Sequence, residues 1–195
     1  MAVTYTNHKN VTYYLGQTVT KTGKPRYAFS REPAKQPIEQ VPEGWEISES
    51  VNGIVTLAKA KPKLILADEL AVVEVQLRRL PKAARYRCEA KANQIVLYEN
   101  ERPDVTNMIA GMIKQGMLIS QRETQRLSQF EEDYAHFSPV MRFTLADPER
   151  RRFLAGRMVY RGEGYWMTVG QEGSIFDLVT RLVPTLGTEE FFELW

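Results

Sequence analysis

The feature that most constrains this chain is a hairpin pattern, which is clearest at Asn52-Gly53. This dipeptide joins two short strand-like runs, Trp45–Glu49 and Ile54–Ala58. Both turn residues tolerate positive φ, so Asn-Gly between two such runs is the strongest short-range signal for a β-hairpin. The sequence therefore predicts an antiparallel hairpin over residues 45–58.

Two more hairpins and one helix are predicted in the first half of the chain. Aromatic runs at residues 13–15 and 27–29 flank a turn that contains Gly23, and residues 85–91 pair with 94–98 across a short turn. Between them, apolar residues recur at steps of three and four over residues 68–80, and Pro81 follows. The first half is therefore expected to consist of antiparallel hairpins plus a helix.

The second half carries several residues that are typical of helix starts. Asp104, Ser120 with Glu123, Asp147-Pro148 and Ser174 with Asp177 all have N-capping chemistry. The spacing of four apolar residues predicts one inward helix face, formed by Leu127, Phe130, Tyr134 and Phe137. Short strands are expected at 140–145, 157–160 and 165–169. We predict an α+β protein whose C-terminal half is mostly helical with short strands.

A change in composition near residue 100 predicts two modules. Residues 1–100 carry 15 Lys and Arg against 10 Asp and Glu, whereas residues 101–195 carry 11 against 14. We expect a hairpin-rich, mildly basic module over 1–100 and a mostly helical module over 101–195. A single continuous domain is the alternative.

Cysteine usage and hydropathy suggest a compartment. The chain has one cysteine, Cys88, so it forms no internal disulfide, and a reducing cytoplasm is the simplest setting. No apolar run approaches the roughly 20 residues that span a bilayer. We expect a soluble cytoplasmic protein without a membrane partner.

Residues with catalytic potential are scattered along the chain. His8 and His136 lack the spacing of a metal site, and Cys88 falls in an alternating strand, where a small buried hydrophobe is the commoner role. Neither a glycine-rich phosphate loop nor a Gly-x-Ser-x-Gly elbow occurs. We therefore expect no catalytic residue, metal or cofactor, and we favour a protein that is not an enzyme.

One weak exception is the pair Glu89 and Lys91. On a strand these side chains share one face, and Glu-x-Lys resembles the second element of a metal-dependent nuclease core. That core needs an upstream aspartate on a paired strand, and the nearest, Asp68, lies at a predicted helix start. A metal-dependent phosphodiesterase is therefore an alternative function, and alternating charge on an exposed strand is the simpler interpretation.

The first predicted hairpin is the main candidate for a binding surface. Six basic residues and one acidic residue, Glu32, occur in the first 35 positions. The candidate contact residues are Lys21, Lys24 and Arg26, which would neutralise phosphates, with Tyr14 and Tyr27 as faces for stacking bases. The opposing interpretation is that these aromatic rings face the core or pair across the strands.

The chain ends on an apolar segment that includes Phe191, Phe192 and Trp195. Chain ends fray unless something holds them. We expect this segment to dock onto its own domain, and docking onto a second copy of the chain is the alternative.

Three stretches resemble a group of uncharacterised bacterial proteins: the turn at 21–27, the Pro42–Glu46 step and the closing 186–194. The resemblance covers most of the chain and implies a bacterial protein, with no catalytic residue to carry over. The lack of a convergent catalytic set, together with the basic aromatic hairpin and the apolar C-terminal segment, leads us to expect a non-enzymatic binding or adaptor protein, with nucleic acid as one possible partner.

Overall fold

The computed structural model describes residues 2–102, 105–161 and 163–195. Its contacts divide the chain into two compact units, Met1–Lys61 and Pro62–Trp195. Each unit has its own sheet structure, and the two are described separately below.

The first unit consists of two small antiparallel sheets. The three-stranded sheet has the order β1-β2-β3, and the second sheet pairs β4 with β5. The two hairpins predicted in this unit, with turns at Gly23 and at Asn52-Gly53, are both present. The strands are β1 (Thr4–Thr6), β2 (Thr12–Val19), β3 (Pro25–Ser30), β4 (Trp45–Glu49) and β5 (Val55–Lys59).

The interior of this unit is small and depends on one polar side chain. Leu15 and Val55 are buried, as is Asn7. The Asn7 amide nitrogen donates to the carbonyl oxygen of Gly53 at 2.6 Å, and its oxygen accepts from the backbone N–H of Val11 at 2.8 Å. Gly53 has φ +77°, whereas Asn52 does not have a positive φ, so only one of the two predicted turn residues uses that conformation. The buried amide therefore ties the N-terminal loop to the β4–β5 turn.

The second unit is built on a five-stranded antiparallel sheet with the order β10-β9-β8-β7-β6. Its strands are β6 (Tyr86–Lys91), β7 (Gln94–Asn100), β8 (Phe137–Asp147), β9 (Arg152–Arg161) and β10 (Glu163–Gly173). Its helices are α1 (Ala67–Arg78), α2 (Val105–Lys114), α3 (Gln121–Asp133) and α4 (Ile175–Leu182).

One face of this sheet carries the hydrophobic core. Side chains from α1 and α4, among them Val73 and Leu178, pack with sheet residues such as Phe143 and Phe153, all nearly or fully buried. Directly opposed residues on antiparallel strands share a face. The face that carries Glu89, Arg142 and their cross-strand neighbours is therefore opposite the core, and we call it the polar face.

The α+β class is as expected, but the prediction of a mostly helical C-terminal half with short strands is wrong. Strands β8, β9 and β10 are 11, 10 and 11 residues long, and they join β6 and β7 in a single sheet. The boundary expected after residue 100 lies between β7 and β8, which pair with each other.

The helix predicted at Asp147-Pro148 is instead the turn between β8 and β9. The Asp147 carboxylate accepts from the backbone N–H groups of Glu149 and Arg150 at 3.0 and 2.9 Å. An aspartate side chain can accept hydrogen bonds from the next few backbone N–H groups in a turn as well as at the start of a helix. Asp147 therefore has the predicted capping role, but it caps a turn between two strands and not the start of a helix.

The predicted inward face of α3 is also wrong in part. Phe130 and Tyr134 are exposed, and Phe137 lies in β8. The predicted N-cap Asp104 lies outside the described residues. None of the described helices has the length and apolar character needed to cross a membrane.

Candidate functional site

The β2–β3 hairpin presents the predicted basic residues at and beside its tip. The turn closes through hydrogen bonds from the Gly23 N–H to the Thr20 carbonyl and from the Thr20 N–H to the Lys24 carbonyl, both 2.9 Å. Gly23 has φ +78°. The side chains of Lys21, Lys24 and Arg26 are all exposed. The tip is therefore a cationic projection whose backbone is held by its own hydrogen bonds.

The two candidate tyrosines lie on opposite faces of this hairpin. Tyr14 pairs with Ser30 and shares the face of Arg26, whereas Tyr27 pairs with Gln17 on the face of buried Leu15. The Tyr27 ring meets the Trp45 ring edge to face, with the centroids 5.9 Å apart. The hairpin does not present Tyr14 and Tyr27 as one stacking surface.

A second cluster in the same unit surrounds Glu49. Its carboxylate accepts from the Tyr5 hydroxyl at 2.9 Å and from the His8 N–H at 2.9 Å, and it also contacts His8 Nδ1. Burial opposes the charge of Glu49, but these hydrogen bonds outweigh it, so the pKa of Glu49 is lowered. His8 and Glu49 lie 41 positions apart. No spacing rule links residues so distant, and the sequence therefore gave no sign of this pair.

Glu89 and Lys91 share the polar face of the five-stranded sheet, as predicted for neighbours two apart on a strand. The Lys91 ammonium lies 3.3 Å from the Glu89 carboxylate and donates to the Tyr98 hydroxyl at 2.6 Å. Burial acts against the charged ammonium, but the bond to Tyr98 and the charge of Glu89 outweigh it and raise the pKa of Lys91. Glu89 is thus already engaged by an ammonium and a hydroxyl.

The phosphodiesterase alternative needs a second carboxylate near Glu89. The residue opposite Glu89 on β7 is Val96. Within the described ranges, no group of three or more His, Cys, Asp or Glu is arranged to hold a metal ion. The nuclease-like role of Glu89 and Lys91 stays a prediction, and its geometric support is limited to these two side chains.

The polar face also carries a stacked cation that sequence inspection missed. Arg142 lies opposite Gly156, and its guanidinium carbon sits 4.5 Å from the centre of the Trp166 ring. A Cβ on Gly156 would lie 3.5 Å from Arg142 Nε and 3.6 Å from its Cγ. These are ordinary van der Waals distances, so the Arg142 side chain lies directly over Gly156 on its way to Trp166. Burial lowers the pKa of Arg142, which is nevertheless charged at neutral pH.

Cys88 lines an open cleft of about 240 Å³ between the end of α1 and strand β6. Glu74, Arg78, Tyr86 and Arg87 also line it. Burial, with a smaller contribution from the Glu74 charge, raises the pKa of the Cys88 thiol to about 12. A thiol so rarely ionised is a poor nucleophile.

The C-terminal segment docks onto its own unit through one aromatic side chain and its backbone. Phe191 is buried in the core, whereas Phe192 and Trp195 are 68% and 78% exposed. The Gly170 N–H donates to the Trp195 carbonyl at 3.0 Å. Because the Phe192 and Trp195 rings are exposed, self-association through the C-terminus remains a prediction.

Comparisons with protein-family models, with curated proteins and with solved structures gave no match for this chain. The function is therefore argued from the residues and geometry described above.

Proposed function

We propose that this is a non-enzymatic nucleic-acid-binding protein that contacts the phosphate backbone through the β2–β3 hairpin. The observation that supports it best is the charge of the N-terminal segment. No Asp or Glu precedes Glu32, while five Lys and Arg do. The three basic residues at the hairpin tip are exposed, and residues 12–30 contain no Asp or Glu that could neutralise them from within the hairpin.

The ligand chemistry follows from the type of side chain and its surroundings. Lysine and arginine on an exposed tip attract phosphates through a charge interaction that does not depend on base sequence. The packing of Tyr27 against Trp45 favours phosphate contact over base stacking at this hairpin. We therefore expect binding of similar strength across sequences of one length and strandedness.

The salt dependence of binding gives a quantitative expectation. Each phosphate neutralised on duplex DNA contributes about −0.9 to the slope of log K against log salt concentration. Contacts from the three basic residues at the tip would give a slope of about −3.

Fluorescence anisotropy with labelled duplex DNA, single-stranded DNA and RNA of equal length, at low and moderate salt, tests the proposal. K21Q/K24Q is the test variant and K59Q/K61Q is the control, because the control removes the same charge from exposed lysines of the same unit. We expect the test variant to lose about tenfold in affinity and to flatten the salt slope by about 2.

The proposal fails on any of three results. These are no binding of any of the three probes at low salt, binding that does not respond to salt, and equal losses in both variants. Equal losses would mean that affinity follows net charge and that the hairpin tip is not a specific contact.

A further inference from the structure

The two helices α2 and α3 form an excursion from the sheet, and most of their described side chains are not buried. Strand β7 ends at Asn100, which pairs with Phe137 at the start of β8, so the chain leaves and returns at one point. Among the described side chains of the two helices, Ile109 alone is buried. We call residues 105–134 the helical hairpin.

The helical hairpin exposes large apolar side chains along its length. Ile113 and Phe130 are 53% and 55% exposed, and Leu118 in the connection is fully exposed. The Phe130 and Tyr134 rings lie 4.4 Å apart, so two aromatic rings form one adjacent surface. Among the described residues here, the exposed large apolar side chains are Met108, Ile113, Met117, Leu118, Phe130 and Tyr134.

Two helices of this length need an apolar contact to be stable. Isolated helices shorter than about 12–15 residues are marginal in water, and α2 and α3 have 10 and 13. Helical stability in proteins comes mainly from burying an apolar face. One buried side chain gives little of this, and contiguous exposed apolar surface marks an interaction site.

The charges along the helical hairpin indicate which partner fits. Its tip, residues 111–126, carries Lys114, Arg122 and Arg126 against Glu123 alone. The segment that returns to the sheet, residues 127–133, has no basic residue and ends on Glu131-Glu132-Asp133. A second copy lying antiparallel alongside would place each basic tip beside the partner's acidic base.

We propose that the helical hairpin is a self-association surface that pairs antiparallel with that of a second copy to form a four-helix interface. Such an interface is isologous, since one patch contacts itself through a two-fold axis, which is the commonest symmetry of homo-oligomers. The apolar residues of both copies are buried together, and the opposite charges set the antiparallel direction.

Sedimentation velocity of the full chain over a concentration series tests this proposal. I113E/F130E removes apolar contact at residues that are already exposed, so the fold of one chain is expected to survive. F192E/W195E is the matched control, because it places the same charges on exposed apolar residues at the C-terminus. We expect the unaltered chain and the control to be dimeric, and I113E/F130E to have at least tenfold weaker association.

A charge exchange tests the direction of pairing. R122E/R126E and E131R/E132R are each expected to weaken association, and an equimolar mixture of the two to restore it as a heterodimer. A mixture no better than its components contradicts the antiparallel arrangement.

Other outcomes overturn the proposal and identify another occupant. An unaltered chain that is monomeric at every concentration rules out a second copy, and its flotation with phosphatidylcholine vesicles would then assign the surface to lipid. A dimer lost only in F192E/W195E would assign self-association to the C-terminus.

Discussion

Arg157 holds Leu194 in place from the core side of the sheet. Its Nε donates to the Leu194 carbonyl at 3.0 Å, and its Nη2 donates to the Phe192 carbonyl, also at 3.0 Å. The arginine is 7% exposed, so it is almost fully desolvated. Two backbone carbonyls at the chain end are thereby satisfied by one buried guanidinium, which keeps the C-terminal segment on its own unit.

Arg157→Met should release this segment. The substitution keeps the apolar stem, removes both hydrogen bonds and should cost about 1–3 kcal/mol of unfolding free energy. Hydrogen exchange of the Gly170 amide, which donates to the Trp195 carbonyl, should become at least about tenfold faster. Arg150→Met, on an exposed arginine, is the control and should change neither quantity. Unchanged protection of Gly170 in Arg157→Met would show that the apolar packing of Phe191 and Leu194 is enough to hold the chain end.

Glu69→Gln should lower stability through the pair with Arg151. Arg151 Nε donates to Glu69 Oε1 at 2.8 Å, and the other Glu69 oxygen accepts from the Leu66 N–H at 2.8 Å. Glutamine can keep the helix-capping bond through its amide oxygen, but its amide nitrogen cannot accept from Arg151 Nε, so the loss reports the ion pair together with that hydrogen bond. We expect about 2 kcal/mol in chemical denaturation, less than for a fully buried pair because Arg151 is about one-third exposed.

Glu74→Gln is the comparison for this effect, because its ion pair with Arg78 is solvent-exposed. It should cost less than about 1 kcal/mol. Equal losses from the two substitutions would mean that burial adds nothing to the Glu69–Arg151 pair.

The Glu49 cluster should make the first unit sensitive to acid. The folded pKa of Glu49 lies below its ordinary value of 4.5. The stabilisation is therefore complete above about pH 4.5 and is lost as the pH falls through the folded pKa. Protection of the Leu15 amide, which donates to the Val3 carbonyl, should exceed that in Glu49→Gln at pH 7. A difference that persists at pH 2 would contradict this account.

Cys88 should react slowly with alkylating agents. The rise in its pKa from 9.0 to about 12 lowers the thiolate fraction at pH 8 by about a thousandfold. The rate of modification by iodoacetamide should fall by a similar factor relative to the same chain in denaturant. A folded-state rate within tenfold of the denatured rate would indicate a more ionised thiol.

Most of the correct predictions rest on residues that are close to one another in the sequence. The Asn52-Gly53 turn, the Gly23 turn and the apolar spacing of α1 each depend on residues within a few positions of one another. Turn preference and helix periodicity are properties of such short stretches, so these elements could be recognised before the fold was known.

The same local signals failed where tertiary context selects between two uses of one residue. Asp147 caps amides in a hairpin turn as well as it would in a helix, and only the pairing of β8 with β9 decides between them. Phe130 and Tyr134 have helix spacing, but no element of the second unit covers them enough to bury them.

The sequence by itself therefore determined the hairpin turns, helix α1 and the uneven charge of the N-terminal segment. Only the tertiary structure decided that Arg142 lies over Gly156 and reaches Trp166, that Glu49 binds Tyr5 and His8, and that Ile109 alone is buried among the described side chains of α2 and α3. The physical reason is the sequence separation over which each interaction acts. Backbone preferences act over a few residues, whereas these contacts join side chains that only the folded chain brings together.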